Sequence, residues 1–447
     1  MLIRATVENY KSFNEPTELV MISSSKIRRK EEHVRRLNGA KVLKYAAVYG
    51  ANAAGKSNLI DLFAFVQQAL KEGLGVSFGS HYCRNDEANR TRKSVFELQF
   101  TAGGRVFAYG FSAILSEMSI IEEWLYELHG DRSTPLLVVD ASSDDPITSS
   151  VGFSNRDKGR FQTYADDFDA GTGALFLSEL NRSKRYASDS AFQVFVDAYR
   201  WLTESIVVIT PTGPVRDAKY LLSARGMDRV GRLLSSFDTG VSGVCSETIT
   251  LEAFVDVAGE QSLEQILSDA SSKLRGMGAG MIRGCLQTRD GFFFFDVSMD
   301  GISNVSALRL RHGGVASLFD FREESDGTRR LFDLMGMLLD TFEDTVYVVD
   351  ELERSLHPML VRHFLELFVE SNAEGSNQIV FSSHEASIMD QELFRRDEIW
   401  FVDRGANGNS RLYSLDRFKD RFDKDIAKAY LEGRYGAVPT FVHFGEE

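Results

Sequence analysis

Residues able to hold phosphate oxygens are gathered in one stretch, Gly50-Ala-Asn-Ala-Ala-Gly55-Lys56-Ser57. The spacing is G-x4-G-K-S, which gains meaning when a strand precedes it and a helix follows. The backbone N–H groups of Gly50, Asn52, Ala53, Ala54 and Gly55 can cradle an anion. The helix start at Lys56, Ser57 and Asn58 adds its own N–H groups to that cradle. Lys56 is a point charge for the outer phosphates, and the Ser57 hydroxyl suits Mg²⁺. Far along the chain, Val346-Tyr-Val-Val ends in two acids, Asp350 and Glu351. Asp350 is expected to hold Mg²⁺ through its water shell, at a strand tip beside the glycine loop. Glu351 is expected to polarise an attacking water, a role worth about 10²–10⁴ in rate. His384 ends the next apolar run, where an imidazole can hydrogen-bond a terminal phosphate and sense its loss. Glu324-Ser-Asp-Gly-Thr328 opens a further helix. Ser325 or Asp326 can be an ordinary N-cap there. The same helix start, with the Ser325 hydroxyl and the Gly327 N–H, can also be a second anion site.

The elements that must position these groups are legible from periodicity. Leu43-Lys-Tyr-Ala-Ala-Val-Tyr49 reads as a strand into the loop, and Asn58 to Val66 as the helix out of it. Leu2 to Glu8 alternates as a strand, and Asn9-Tyr-Lys-Ser-Phe13 turns into another. Ser94–Phe100, Arg105–Ser112 and Ile120–Tyr126 form an expected antiparallel meander. Residues from about 170 to 280 are mostly helical by pattern, with helices over Ala191–Trp201 and Asp228–Leu234, and Gly291–Met299 returns to strand. After about residue 320, strands (345–350, 378–383, 398–402) alternate with helices (328–342, 358–369), which indicates a βαβ sheet shared with the glycine loop.

Composition narrows the class. The 447 residues are 43% hydrophobic and 26% charged, ordinary for a globular protein with a large core. Cys83, Cys245 and Cys285 lie far apart without a C-x-x-C spacing, so neither a disulfide framework nor a zinc site is indicated. No signal-peptide pattern and no run of about 18 apolar residues is present; a cytoplasmic, non-membrane protein is expected. The net charge of −14 disfavours general nucleic-acid binding. One basic stretch, Lys26 to Lys44, carries Lys26, Arg28, Arg29, Lys30, Arg35, Arg36, Lys41 and Lys44. It suits nucleic acid or an acidic partner, or a solvated loop between strands.

The whole set of motifs resembles the AAA15-type ABC ATPases, relatives of RecF, SMC and OLD-type heads. The resemblance rests on Asn9–Phe13, Tyr49–Ser57, Ser325–Arg330, Val349–Pro358, Phe381–His384, Arg396–Phe401 and Tyr430–Pro439. It implies an α/β fold: an ABC-type P-loop ATPase head with a mixed sheet, an antiparallel β subdomain and an inserted helical region. The division expected is 1–130 (P-loop lobe with β subdomain), 131–310 (mostly helical insertion) and 311–447 (signature, Asp-Glu strand and histidine). It further implies ATP and Mg²⁺ as ligands and a homodimer or higher homo-oligomer. In that dimer, ATP on one loop would be closed by Ser325 and Gly327 of the other copy, with Ser355–Pro358 along the interface. A separate effector, commonly a TOPRIM-type nuclease in anti-phage systems, is implied as partner. Ala53 departs from the glycine frequent in RecF-like loops, and neither Gln67, Gln68 nor Gln99 makes a convincing Q-loop. The segment after His384 is too short for an OLD-type TOPRIM domain. Asp423-Lys-Asp425 reads as a helix start, so no nuclease activity is expected in this polypeptide alone. A repair or SMC-like ATPase acting directly on DNA, and an ATP-dependent scaffold with little turnover, are the alternatives.

Overall fold

The computed structural model describes residues 1–37, 39–211, 219–277, 280–288, 290–314, 316–339, 344–419 and 425–439. The chain divides into two compact units. One comprises Met1–Val208, Phe342–Leu352 and Asn372–Glu447; the other comprises Ile209–Thr341 and Glu353–Ser371.

Among the described residues the first unit holds two large sheets and one two-stranded hairpin. An antiparallel sheet of seven strands runs in the order 147–148, 132–140, 119–129, 105–114, 94–102, 2–8, 17–20. Its strands are longer than the expected meander, running 94–102, 105–114 and 119–129. In Ser94–Ala102, for example, Ser94, Phe96, Leu98 and Phe100 all face inward. The second sheet is mixed, in the order 206–209, 346–349, 378–383, 45–49, 399–404, 410–414. Strands 346–349, 378–383, 45–49 and 399–404 are parallel neighbours, while 410–414 pairs antiparallel to 399–404. Their near-continuous Val, Ile, Tyr and Phe content suits burial on both faces. The strand ending in Asp350 and the P-loop strand are not adjacent in the sheet. Gln378–Ser383 lies between them, with Phe381 opposite Val349 and Ser383 opposite Tyr49. Gln378, fully buried, joins the two sheets: it accepts from Leu2 N–H at 2.5 Å and donates to the carbonyls of Leu2 and Leu43.

The glycine-loop helix, Lys56–Glu72, buries Leu59, Ile60, Leu62, Phe63, Phe65 and Val66 on one face. Phe65 packs on Tyr10, Phe78, Phe96 and Phe111 of the antiparallel half. The basic stretch folds as a two-stranded hairpin, Val34–Leu37 with Ala40–Leu43. Most of its charge is used locally. Lys44 is buried and donates to the Asn372 and Ala373 carbonyls, Lys30 and Arg35 reach the Glu392 and Glu374 carbonyls, and Lys41 and Arg36 pair with Glu31. Lys26 and Arg28 are exposed.

The second unit is built on an antiparallel sheet, 241–248, 301–312, 291–298 and 281–288, with 318–320 paired to 301–312. Val241–Thr248 lies inside the stretch read as helical. Its pairing to 306–312 overrides local propensity, which only tertiary contact can do. The same unit carries helices Asp326–Leu339 and Pro358–Ser371. The 340–342 end of the expected 328–342 helix, and Asp423, lie outside the described residues.

Candidate functional site

The P-loop strand and the strands ending at His384 and Arg404 are parallel, so their carboxyl ends meet on one edge of the mixed sheet. Such edges are where open α/β sheets bind ligands. Gly50 must be glycine because a Cβ there would lie 2.3 Å from the Val402 carbonyl oxygen. Ala53 takes φ 59° and Gly55 φ 115°. Both are left-handed conformations that ordinary side chains resist. Ala53, at the departure from the glycine-rich pattern, thus retains the backbone that glycine would supply.

Lys56 is buried at the helix start. Its Nζ donates to the Gly50 and Ala51 carbonyls at 2.7 and 3.1 Å and to His384 Nδ1 at 3.2 Å. With Nδ1 accepting, the His384 ring proton sits on Nε2. Ser57 is exposed one residue on, and Asn58 donates to the Ser12 hydroxyl at 2.7 Å.

One serine organises both acids. The Ser382 hydroxyl donates to Asp350 Oδ1 at 2.5 Å and accepts from the Glu351 N–H at 2.9 Å. Its carbonyl also takes the Leu352 N–H. Glu351 is thereby held at φ 47°, a strained conformation of the kind that persists where surrounding bonds over-determine it. Asp350 is buried and Glu351 half-buried.

These groups border a cleft of about 930 Å³ lined by Asn52–Asn58, Glu351 and His384. Lys11, Ser12, Ser80–Tyr82, Arg84, Asn85, Arg404 and Gly408 complete its walls. Four of the lining side chains are Lys or Arg and one, Glu351, is acidic. In a chain of net charge −14, that is a local reversal of charge, the sign that suits an anion. Burial, with Lys11 nearby, pushes the His81 imidazole below its ordinary value and toward neutrality. Sequence reasoning missed these wall residues. The Asn9–Phe13 motif by itself points to no role for Lys11 or Ser12. Arg84 sits in a loop with no periodic signal, and Arg404 ends the strand Ile399–Arg404, two residues past the expected 398–402 run.

A hydroxyl and a buried carboxylate are hard oxygen donors, so Ser57 and Asp350 fit Mg²⁺, which binds through few protein ligands and keeps several waters. Among the described residues no three or more His, Cys, Asp or Glu side chains gather in a cluster that could hold a metal. Gln67 donates to the Leu202 and Ile206 carbonyls, Gln68 to Glu72 and Gln99 to Glu97. All three are engaged away from the cleft.

Ser325 and Gly327 lie in the second unit. The Ser325 hydroxyl accepts from the Thr328 N–H at 3.1 Å, so Ser325 rather than Asp326 caps the Asp326–Leu339 helix. A Cβ on Gly327 would sit 2.8 Å from the Ser355 carbonyl oxygen. Ser355 itself has φ 60°. The start of the Asp326–Leu339 helix and the Ser355–Pro358 stretch are in direct backbone contact.

Residues 46–390 match the family described as "AAA domain, putative AbiEii toxin, Type IV TA system". The chain belongs to this family. The matched span of this AAA-domain family takes in the P-loop, Ser325, Gly327, Asp350, Glu351 and His384. The chain is also similar to the structure titled "Crystal structure of the SmcHead bound to the C-winged helix domain of ScpA". Identity there is 12%, coverage 92% of this chain and 97% of that one, and the TM-score 0.39. For the SMC head domain from Thermotoga maritima the values are 15%, 92%, 98% and 0.35. No curated protein matches the chain. No helix among the described residues is long and apolar enough to cross a membrane.

Proposed function

We propose that this AAA-domain protein binds and hydrolyses ATP as a cytoplasmic switch of the AAA15-like kind, pairs with a second copy around the nucleotide, and controls a separate effector. The observation that carries the reading is the basic cleft at the strand ends, where Lys56, Glu351 and His384 border one space. A triphosphate seated on the 50–58 backbone would draw the Lys56 ammonium from the Gly50 and Ala51 carbonyls onto its outer oxygens. Glu351, held by Ser382, would take a proton from the attacking water, and His384 Nε2–H would contact the terminal phosphate. Bound Mg²⁺, held by Ser57 and Asp350, would neutralise charge developing on the phosphates.

Ser325 and Gly327 of a partner copy would close the nucleotide, so that assembly reports occupancy. The family description names a toxin–antitoxin context, which supports a role in conflict or anti-phage systems, with a TOPRIM-type nuclease as the proposed effector. The test is direct. Lys56→Ala should abolish ATP binding, while Glu351→Gln should bind ATP, hydrolyse it slowly and accumulate dimers by light scattering. Normal turnover in Glu351→Gln would refute the base assignment. Nicking of DNA by the purified chain with Mg²⁺ or Mn²⁺ would refute the need for a separate nuclease.

A further inference from the structure

The P-loop is braced from both ends of the chain, and that bracing has a direction. Asn58 Nδ2 lies 2.7 Å from Ser12 Oγ, Ser12 Oγ lies 2.7 Å from Ser410 Oγ, and Ser410 Oγ lies 2.5 Å from the Ala54 carbonyl oxygen. A hydroxyl carries one proton, and a carbonyl oxygen only accepts. Ser410 must therefore donate to Ala54, Ser12 to Ser410, and Asn58 to Ser12. The backbone adds a second tie, with the Ser410 N–H donating to the Ser12 carbonyl at 2.7 Å. Ser410 is only 4% exposed, so water cannot readily replace its hydroxyl. Gly55 makes room for this bracing: a Cβ there would fall 2.3 Å from Ser410 Oγ and 2.7 Å from Ser12 Oγ.

We propose that Ser12 and Ser410 are positioning residues for nucleotide binding, a chain of hydroxyls that ties the Ala54 carbonyl and holds the 53–55 turn open as an anion cradle. The proposal rests on the reading of this cleft as an ATP site. Two features make the tie necessary. Ala53 sits at φ 59° without glycine's freedom, so the turn needs an outside restraint. A released Ala54 carbonyl could also turn into the loop and present the negative end of its dipole to a phosphate. The bracing gives a role to Ser12 of the Asn9–Phe13 turn, and it joins residues 12, 54–58 and 410.

The test compares wild type, Ser410→Ala and Ser410→Ala with Ala53→Gly. MgATP affinity is read by calorimetry, and hydrogen exchange of the 51–58 peptide is read without nucleotide. Ser410→Ala should weaken MgATP roughly 5- to 50-fold, the effect of a buried carbonyl losing its donor. It should speed exchange in 51–58 while the sheet strands keep their protection. Ala53→Gly should recover most of the affinity, because glycine adopts the turn unaided. Affinity within twofold of wild type together with unchanged loop exchange would overturn the proposal. So would a double variant as weak as Ser410→Ala, or an exchange increase spread across the whole first unit. If wild type binds no MgATP, the nucleotide reading fails, while the exchange arm still judges the bracing.

Discussion

Glu123 offers a quantitative handle on how the antiparallel sheet supports the P-loop helix. Its side chain is 1% exposed. One carboxylate oxygen accepts the Phe176 N–H at 2.5 Å; the other accepts the Leu177 N–H at 3.1 Å and the Tyr109 hydroxyl at 3.0 Å. Phe176 and Leu177 begin a short turn whose Ser178 hydroxyl donates to the Leu70 carbonyl, on the helix that Lys56 starts. Burial nevertheless pushes the Glu123 carboxyl up from 4.5 to about 7, the three donors offsetting only part of that cost. The folded protein thus binds this proton more tightly than the unfolded chain does. The resulting stability is fully present below about pH 4.5 and is lost as pH rises through about 7. The gap corresponds to about 3 kcal/mol. Glu123→Gln cannot titrate, so its stability should be flatter between about pH 5 and pH 8 by that amount. Its amide NH₂ must also face a backbone donor, so it should start about 1–3 kcal/mol less stable than wild type near pH 5. The two curves should converge on going to alkaline pH. Urea unfolding across that range, followed by circular dichroism, measures both slopes. Equal slopes would show that Glu123 is not the group whose proton is held, and the burial argument would fall.

Other perturbations separate further links. Ser382→Ala should lower ATP turnover more than ATP binding, by roughly 10-fold or more, because it frees both Asp350 and the Glu351 backbone; an unchanged kcat counts against this positioning role. Gly55→Ala should abolish MgATP binding, since its Cβ would meet Ser410 and Ser12 at φ 115°; retained affinity would refute the close approach. Gly327→Ala should push the Ser355 carbonyl aside and impair ATP-dependent dimerisation while leaving monomer binding of MgATP in place; normal dimers by light scattering would refute it. Neutralising Lys26 and Arg28 should leave DNA binding unchanged, because most of the other basic residues of that stretch are engaged locally. Steeply salt-dependent DNA binding lost in that variant would favour an ATPase acting directly on DNA.

The chemistry-bearing residues were visible in the sequence because each occupies a local pattern. Glycines and a lysine at fixed spacing open a helix, two acids end a β-branched run, and a histidine ends the next. These are short-range consequences of backbone geometry and hydrogen-bonding capacity, so Lys56, Asp350, Glu351 and His384 could be named without coordinates. Element types near them were equally legible from periods of 2 and 3.6 residues.

What tertiary structure decided depends on neighbours far apart in sequence. The histidine strand lies between the acidic strand and the P-loop strand because parallel pairing is chosen by sheet packing, which local pattern does not encode. Ser382 bridges the two acids, Ser12 and Ser410 meet over Gly55, and Arg84 and Arg404 reach the cleft only through that folding. By composition the basic stretch suited nucleic acid, an acidic partner or a solvated loop between strands; in the fold its lysines and arginines mostly satisfy carbonyls and Glu31. Net charge is additive along a chain; whether a given charge is free is settled only by what folds against it.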